Sequence, residues 1–107
     1  MKPEDAIREY LPMTETMYYI LLSLCDPRHG YGIFLHVRTI TDERLKLAAG
    51  TIYNSLSRLE RDGLISPHSQ TERRKIYAIK PLGMSVLQQE VKRLEELALN
   101  GRKAVVK

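Results

Sequence analysis

Residues 81–100 carry more apolar surface than a small domain readily buries in one helix. Met84, Leu87, Val91, Leu94 and Ala98 recur at spacings of 3, 4, 3 and 4, the heptad pattern of a seam between helices. Leu82, Val86, Leu97 and Leu99 lie off that seam and widen the apolar face. A chain of 107 residues has one modest core to offer. A terminal helix of this kind asks for a partner, most simply a second copy of itself. Pro81 or Leu82 opens it and Asn100-Gly101 is the expected stop. Residues 81–107 therefore read as a dimerisation helix followed by a basic tail, with Met84, Leu87, Val91, Leu94 and Ala98 as the dimerisation residues.

The preceding residues 1–80 read as three helices and a hairpin behind a short N-terminal helix over residues 3–11, which offers Ile7, Tyr10 and Leu11 for packing. Thr14 is a fitting N-cap for a helix whose Met17, Leu21 and Leu24 fall at i, i+4 and i+7, with Ile20 beside them. Asp26-Pro27-Arg28 ends it. Gly30-Tyr31-Gly32 leads into Ile33, Val37 and Ile40 at the same spacing, with Phe34 adjacent. A further helix over residues 50–62 carries the stripe Ile52, Leu56 and Leu59 and meets Gly63, a good C′ residue. Residues 41–49 join these two helices as a loop. Leu64-Ile65-Ser66-Pro67 and Lys75-Ile76-Tyr77-Ala78-Ile79-Lys80 flank a polar stretch and read as a β-hairpin, which must lean on the helices to be stable. The fold class is mainly α with a small β-hairpin, in the element order of a winged helix-turn-helix with an added C-terminal dimerisation helix.

Composition narrows the function. Hydrophobic residues at 43% beside 28% charged are those of an ordinary globular chain. No apolar run approaches the roughly 20 residues of a membrane span, and no signal-peptide core follows the polar start. The single cysteine, Cys25, excludes an internal disulfide framework and a multi-cysteine zinc site, and at the end of an apolar stripe it reads as a buried packing residue. A cytoplasmic protein without membrane partners is expected. His29, His36 and His68 fall on different elements without a helical pairing, so no metal site is expected. No nucleophile, base and orienter assemble into a catalytic set, and neither enzymatic activity nor a cofactor is expected.

The formal net charge of +4 is unevenly spread. Residues 1–49 are net −1, residues 50–80 net +3 and residues 81–107 net +2. The basic block begins where the helix presented to DNA in a winged helix would begin. With Ile52, Leu56 and Leu59 turned inward, Gly50, Asn54, Ser57, Arg58 and Arg61 turn outward, with Thr51 and Tyr53 flanking near the N-terminus. Asn and Arg suit the edges of adenine and guanine, and hydroxyls suit phosphates. The hairpin tip adds Arg73, Arg74 and Lys75 in a row. Any solvated helix shows Asn, Ser and Arg outward. It is the agreement of element order, local charge and basic hairpin that points to double-stranded DNA, read by a two-fold dimer as an inverted repeat.

Several stretches together resemble the PadR family of bacterial transcriptional regulators. They are residues 14–25, His29-Gly30-Tyr31-Gly32, Gly50-Thr51-Ile52-Tyr53, the run Leu56-Ser57-Arg58-Leu59-Glu60-Arg61-Asp62-Gly63-Leu64-Ile65, and Arg73-Arg74-Lys75-Ile76-Tyr77. The resemblance covers roughly residues 13–100, and the single terminal helix is similar to the small-chain branch of the family. It implies a homodimeric winged-helix repressor, paired through its C-terminal helices, that releases DNA when a small molecule binds. It also implies that Thr51, Tyr53, Asn54, Ser57 and Arg58 face DNA, with Arg73 and Arg74 in the wing. Some members of the family take flat aromatic molecules between aromatic side chains at the dimer interface, and this chain has no Trp.

Two readings of the tyrosines stay open. Tyr10, Tyr18 and Tyr19 serve core or dimer packing, or they help line a pocket for a small hydrophobic or aromatic effector. The pocket residues would be Met13, Met17, Tyr18, Tyr19, Val91, Leu94 and Glu95. A competing function is a winged-helix scaffold that binds protein partners without DNA. Such a surface calls for apolar or acidic anchors along residues 50–61, and the outward face there carries few.

Overall fold

The computed structural model describes residues 1–71 and 74–106. The chain runs α1 (Pro3–Tyr10), α2 (Glu15–Ser23), α3 (Gly30–Ile40), α4 (Ala49–Arg61), β1 (Ile65–Thr71), β2 (Arg74–Ile79) and α5 (Pro81–Val105). Helices α2, α3 and α4 pack around one core with the antiparallel hairpin β1–β2 against them, which is the winged-helix arrangement. Ile20, Leu21 and Leu24 meet Ile33 and Val37, then Ile52, Leu56 and Leu59, at the centre of that core. All of these are fully or almost fully buried, as their helical spacing requires.

Local chemistry sets the helix ends. The Thr14 hydroxyl accepts the Met17 N–H at 3.1 Å and starts α2. Helix α4 ends in a reverse turn at Gly63, whose φ of +81° only glycine adopts freely. There the Leu64 N–H bonds the Leu59 carbonyl (2.9 Å) and the Gly63 N–H bonds that of Glu60 (3.1 Å).

The hairpin does not stand alone. Arg28 and Tyr77 exchange both backbone hydrogen bonds, at 3.0 and 2.9 Å, and the Ile79 N–H reaches the Leu24 carbonyl at 2.8 Å. These bonds tie the far edge of β2 to the chain after α2, and Pro67 of β1, paired with Tyr77, has no ladder bond to lose. The register shifts between Pro67 and Ser69.

Four expectations need correction. Ile40 is 45% exposed because α3 ends there, and Leu45 and Leu47 from the connecting loop fill the core in its place. Cys25 is exposed, since α2 ends at Ser23 and the apolar stripe closes at Leu24. Helix α5 passes through Gly101 to Val105. One glycine costs about 1 kcal/mol in a helix, and Arg102, Lys103 and Ala104 beyond it are good helix formers. Lastly, α5 turns Gly83, Val86, Leu87 and Glu90 inward. That face packs against α1 and α2, so part of its wide apolar surface is covered within the chain. Beyond it, every residue from 95 to 106 is exposed.

Candidate nucleic-acid interface

The outward face of α4 begins without a side-chain cap, because Ala48 occupies the N-cap and leaves the first-turn amides to other acceptors. Gly50, Thr51, Tyr53, Asn54, Ser57 and Arg61 are all exposed on this helix. Tyr53 is the most prominent apolar group among them, 57% exposed. Its ring lies against the bare backbone of Gly30, where an added Cβ would come within 2.9 Å of it.

Arg58 is placed differently from its neighbours. Its guanidinium lies 4.5 Å above the Tyr10 ring and 3.6 Å from Glu9, so α1 holds it. The Tyr10 hydroxyl donates to the Asp62 carboxylate at 2.7 Å, and Arg61 reaches the same carboxylate at 3.3 Å. Burial pushes the Tyr10 hydroxyl well above the usual range for a tyrosine, and its hydrogen bond holds the Asp62 carboxyl below the usual range. Tyr10 is thereby separated from Tyr18 and Tyr19 and ties α1 to the C-terminal half of α4. Nothing local in the sequence signals this, since the partners are about 50 residues apart.

The wing contributes Arg74 and Lys75, both exposed, while Arg73 lies outside the described residues. Lys75 Nζ stands 5.8 Å from the Tyr77 ring centre. An open groove of about 320 Å³ gathers the wing cations with residues of two helices: His29, Tyr31, Tyr53, Arg74, Lys75 and Tyr77 line it. A smaller cavity of about 230 Å³ adjoins it, walled by Tyr31, Phe34, Leu47, Ala49, Ile52 and Tyr53 and almost wholly apolar. Sequence reasoning missed both, and missed His29 and Tyr31 as surface partners of α4. The signal available was the sequence His29-Gly30-Tyr31-Gly32, where a histidine serves as N-cap.

Elsewhere, Met13, Tyr18, Tyr19 and Leu94 share an open groove of about 370 Å³ with Glu15, Arg44 and Glu90. Tyr18 and Tyr19 meet edge to face with centroids 5.6 Å apart. Met17, Val91 and Glu95 are not among the lining residues. Glu90 was not foreseen there. Its carboxylate, 1% exposed, accepts the Met13 N–H at 2.8 Å and is held by Arg93.

Of the seam residues, Leu87 is only 5% exposed and belongs to the chain's own core. Met84, Val91 and Leu94 are half-buried and Ala98 is exposed, beside Leu97 at 54% and Leu99 at 48%.

Three packed helices, an anchored basic hairpin and a polar outward face on the third helix define the class of winged-helix transcriptional regulators. Within that class, the chain belongs to the Transcriptional regulator PadR-like family, whose model matches residues 19–89. It is similar to a transcriptional regulator from Clostridium thermocellum, with 31% identity, 96% of this chain and 99% of that one covered, and a TM-score of 0.72. It also resembles Bacillus subtilis PadR, solved in complex with operator DNA, with 22% identity, 73% of this chain and 48% of that one covered, and a TM-score of 0.62. An uncharacterised 37.1 kDa protein of transposon TN4556 from Streptomyces fradiae shares 30% identity over 80 residues, 74% of this chain. The chain spans 23% of that relative's length. Among the described residues, no helix is long and apolar enough to cross a membrane.

Proposed function

We propose that this chain is a homodimeric DNA-binding regulator that represses transcription in the cytoplasm and responds to a small effector. The observation that carries the DNA-binding part is the shared groove in which Tyr53 of α4 meets Arg74 and Lys75 of the wing. A helix that reads base edges and a hairpin that holds the backbone must act on one duplex, and these two elements converge. In this reading residues 1–80 contact DNA and residues 81–107 pair the copies. Gly50, Thr51, Tyr53, Asn54, Ser57 and Arg61 face the major groove, and Arg73, Arg74 and Lys75 follow the backbone. Arg58 contributes once it leaves Tyr10 and Glu9.

The exposed second half of α5 supports dimerisation. A helix segment of about a dozen residues is marginal in water when nothing packs on it. Leu97, Ala98 and Leu99 lie in that segment beyond the chain's own core. Pairing two copies around Met84, Val91, Leu94 and Ala98 would cover Ala98 and, on the flank of the seam, Leu97. We expect Leu97→Glu to shift the protein toward monomer in sedimentation at micromolar concentration, with its helical content in the α2–α4 core retained. The groove beside Tyr18 and Tyr19 suits a small hydrophobic or aromatic effector, because two rings and Met13 supply apolar contact and Arg44 supplies a charge.

Base readout and backbone contact predict different mutant behaviour. Asn54→Ala should cost about 1–3 kcal/mol on the operator and lose discrimination at one base pair. Arg74→Ala should weaken binding to all duplexes and lower the salt slope by about 1. A mobility-shift assay on DNA upstream of the protein's own gene, with scrambled duplex alongside, measures both. Equal effects of the two substitutions on all sequences would contradict readout by α4.

A further inference from the structure

His29 stands between two hydrogen-bond donors. Its Nδ1 lies 3.0 Å from the backbone N–H of Gly32, and its Nε2 lies 2.9 Å from Arg74 Nη1. A neutral imidazole has a single lone pair in its ring plane, so it can accept from one of them only. The Gly32 amide is fixed in the first turn of α3, whereas Arg74 is exposed and can move. The lone pair therefore belongs to Nδ1, where it caps the helix, and Nε2 carries the proton. The Nε2–H and the guanidinium N–H then point into the same space with no acceptor between them. A doubly protonated ring would add a second clash at Gly32 rather than remove the first.

We infer that His29 and Arg74 form a seat for one phosphodiester of the DNA backbone, an inference that rests on the DNA-binding reading above. Once the exposed Arg74 side chain draws back to admit it, an anionic oxygen accepts from both Nε2 and Nη1 and turns a donor–donor contact into two charge-assisted hydrogen bonds. The surrounding groove suits this occupant. Lys75 adds a second cation, Tyr31 and Tyr53 add rings and hydroxyls, and no carboxylate lies among the described lining residues. The seat joins the start of α3 to the wing beside the first turns of α4. A phosphate held there fixes the register of the recognition helix on the duplex.

Binding of the full chain to a fluorescent duplex, titrated with salt, tests the seat. His29→Ser keeps a capping oxygen for Gly32 and removes only the Nε2–H. It should weaken binding about tenfold at unchanged salt slope, because a neutral donor releases no counterion. Arg74→Ala should weaken binding and lower the slope by about 1. The double variant should lose less than the two single losses combined, since both donors share one oxygen. Methylphosphonate replacement of one phosphate at a time locates the oxygen. At one position wild type should lose affinity and His29→Ser should lose no more.

If the wild type binds and a folded His29→Ser binds equally well, the seat is wrong while DNA binding stands. A His29→Ser loss that persists on every substituted duplex also overturns it, because the anion would then not be a DNA phosphate. If wild type fails to bind any duplex at low salt, the DNA reading itself fails. Should His29→Ser not fold, 15N NMR of the wild-type imidazole decides. The seat requires the Nε2–H tautomer, with its proton slowed in exchange on adding duplex. The Nδ1–H tautomer overturns it.

Discussion

The Gly83→Ala protein is expected to melt about 10 °C below wild type, at about 4–8 °C per kcal/mol for a domain of this size. Gly83 lies in the first turn of α5, where the helix crosses the base of the hairpin. A Cβ there would lie 2.2 Å from the Leu64 carbonyl oxygen and 2.8 Å from Ile79 Cγ1. That carbonyl also accepts the Lys80 N–H at 2.9 Å, so it cannot withdraw without breaking the strand-to-helix junction. Forced overpacking costs about 1–3 kcal/mol or more, and alanine returns about 1 kcal/mol of helix propensity. The clash wins because the obstructing atom is backbone. Gly101→Ala is the matched control. Its Cβ would meet nothing within 4 Å, so propensity alone acts and the melting temperature should rise slightly. Thermal denaturation followed by circular dichroism measures both variants.

Glu90→Gln should lower stability at pH 7 by about 2 kcal/mol. Breaking a buried ion pair costs about 3–5 kcal/mol, reduced here because Arg93 keeps a third of its side chain in water and can rehydrate. The amide oxygen can still accept the Met13 N–H, but the amide NH2 then faces the Arg93 Nε–H that Glu90 Oε1 accepts, so the loss includes that hydrogen bond as well as the charge. The Arg93 hydrogen bond holds the Glu90 carboxyl below the usual range for a glutamate, with help from the Met13 amide. A carboxyl depressed in the folded state stabilises at pH above its unfolded value, about 4.3, and loses that contribution as pH falls through the folded value. The gap between wild type and Glu90→Gln should therefore be constant near neutrality and close below about pH 4. Denaturant unfolding at a series of pH values tests this. A gap that fails to narrow as pH falls below about 4 would contradict the charged pair. Glu90 also joins α5 to the Met13 turn and lines the groove beside Tyr18 and Tyr19, so the same substitution should alter any effector response.

The parts of this molecule that were legible in the sequence are those set by near neighbours along the chain. The stripes Ile52-Leu56-Leu59 and Ile33-Val37, the Thr14 cap and the Gly63 turn follow from helical geometry, and the structure shows each. Composition is a poorer guide than geometry along α5. Gly101 was expected to stop α5, but the helix formers beyond it carry it on. Leu87 sits on a heptad seam, yet α5 rotates it into its own core beside Val86 because α1 covers that face. Contacts between distant segments left no trace. Tyr10 binding Asp62, Glu90 receiving Met13 and His29 meeting Arg74 each join residues at least 45 positions apart. The outward face of α4 was readable because exposure is the complement of its buried stripe. What faces it from α1 and α3 was not.

If α4 and the wing together hold a DNA duplex, salt-titrated binding reports it. Arg73, Arg74, Lys75 and the flanking cations of two copies should make several phosphate contacts. Log affinity should then fall linearly with log salt, at a slope of about −0.9 per contact. We predict binding at about 50 mM salt that weakens by a factor of 10² or more by about 200 mM, with an inverted-repeat duplex retained longest. No binding at about 50 mM salt, or affinity indifferent to salt, would contradict DNA binding by this face.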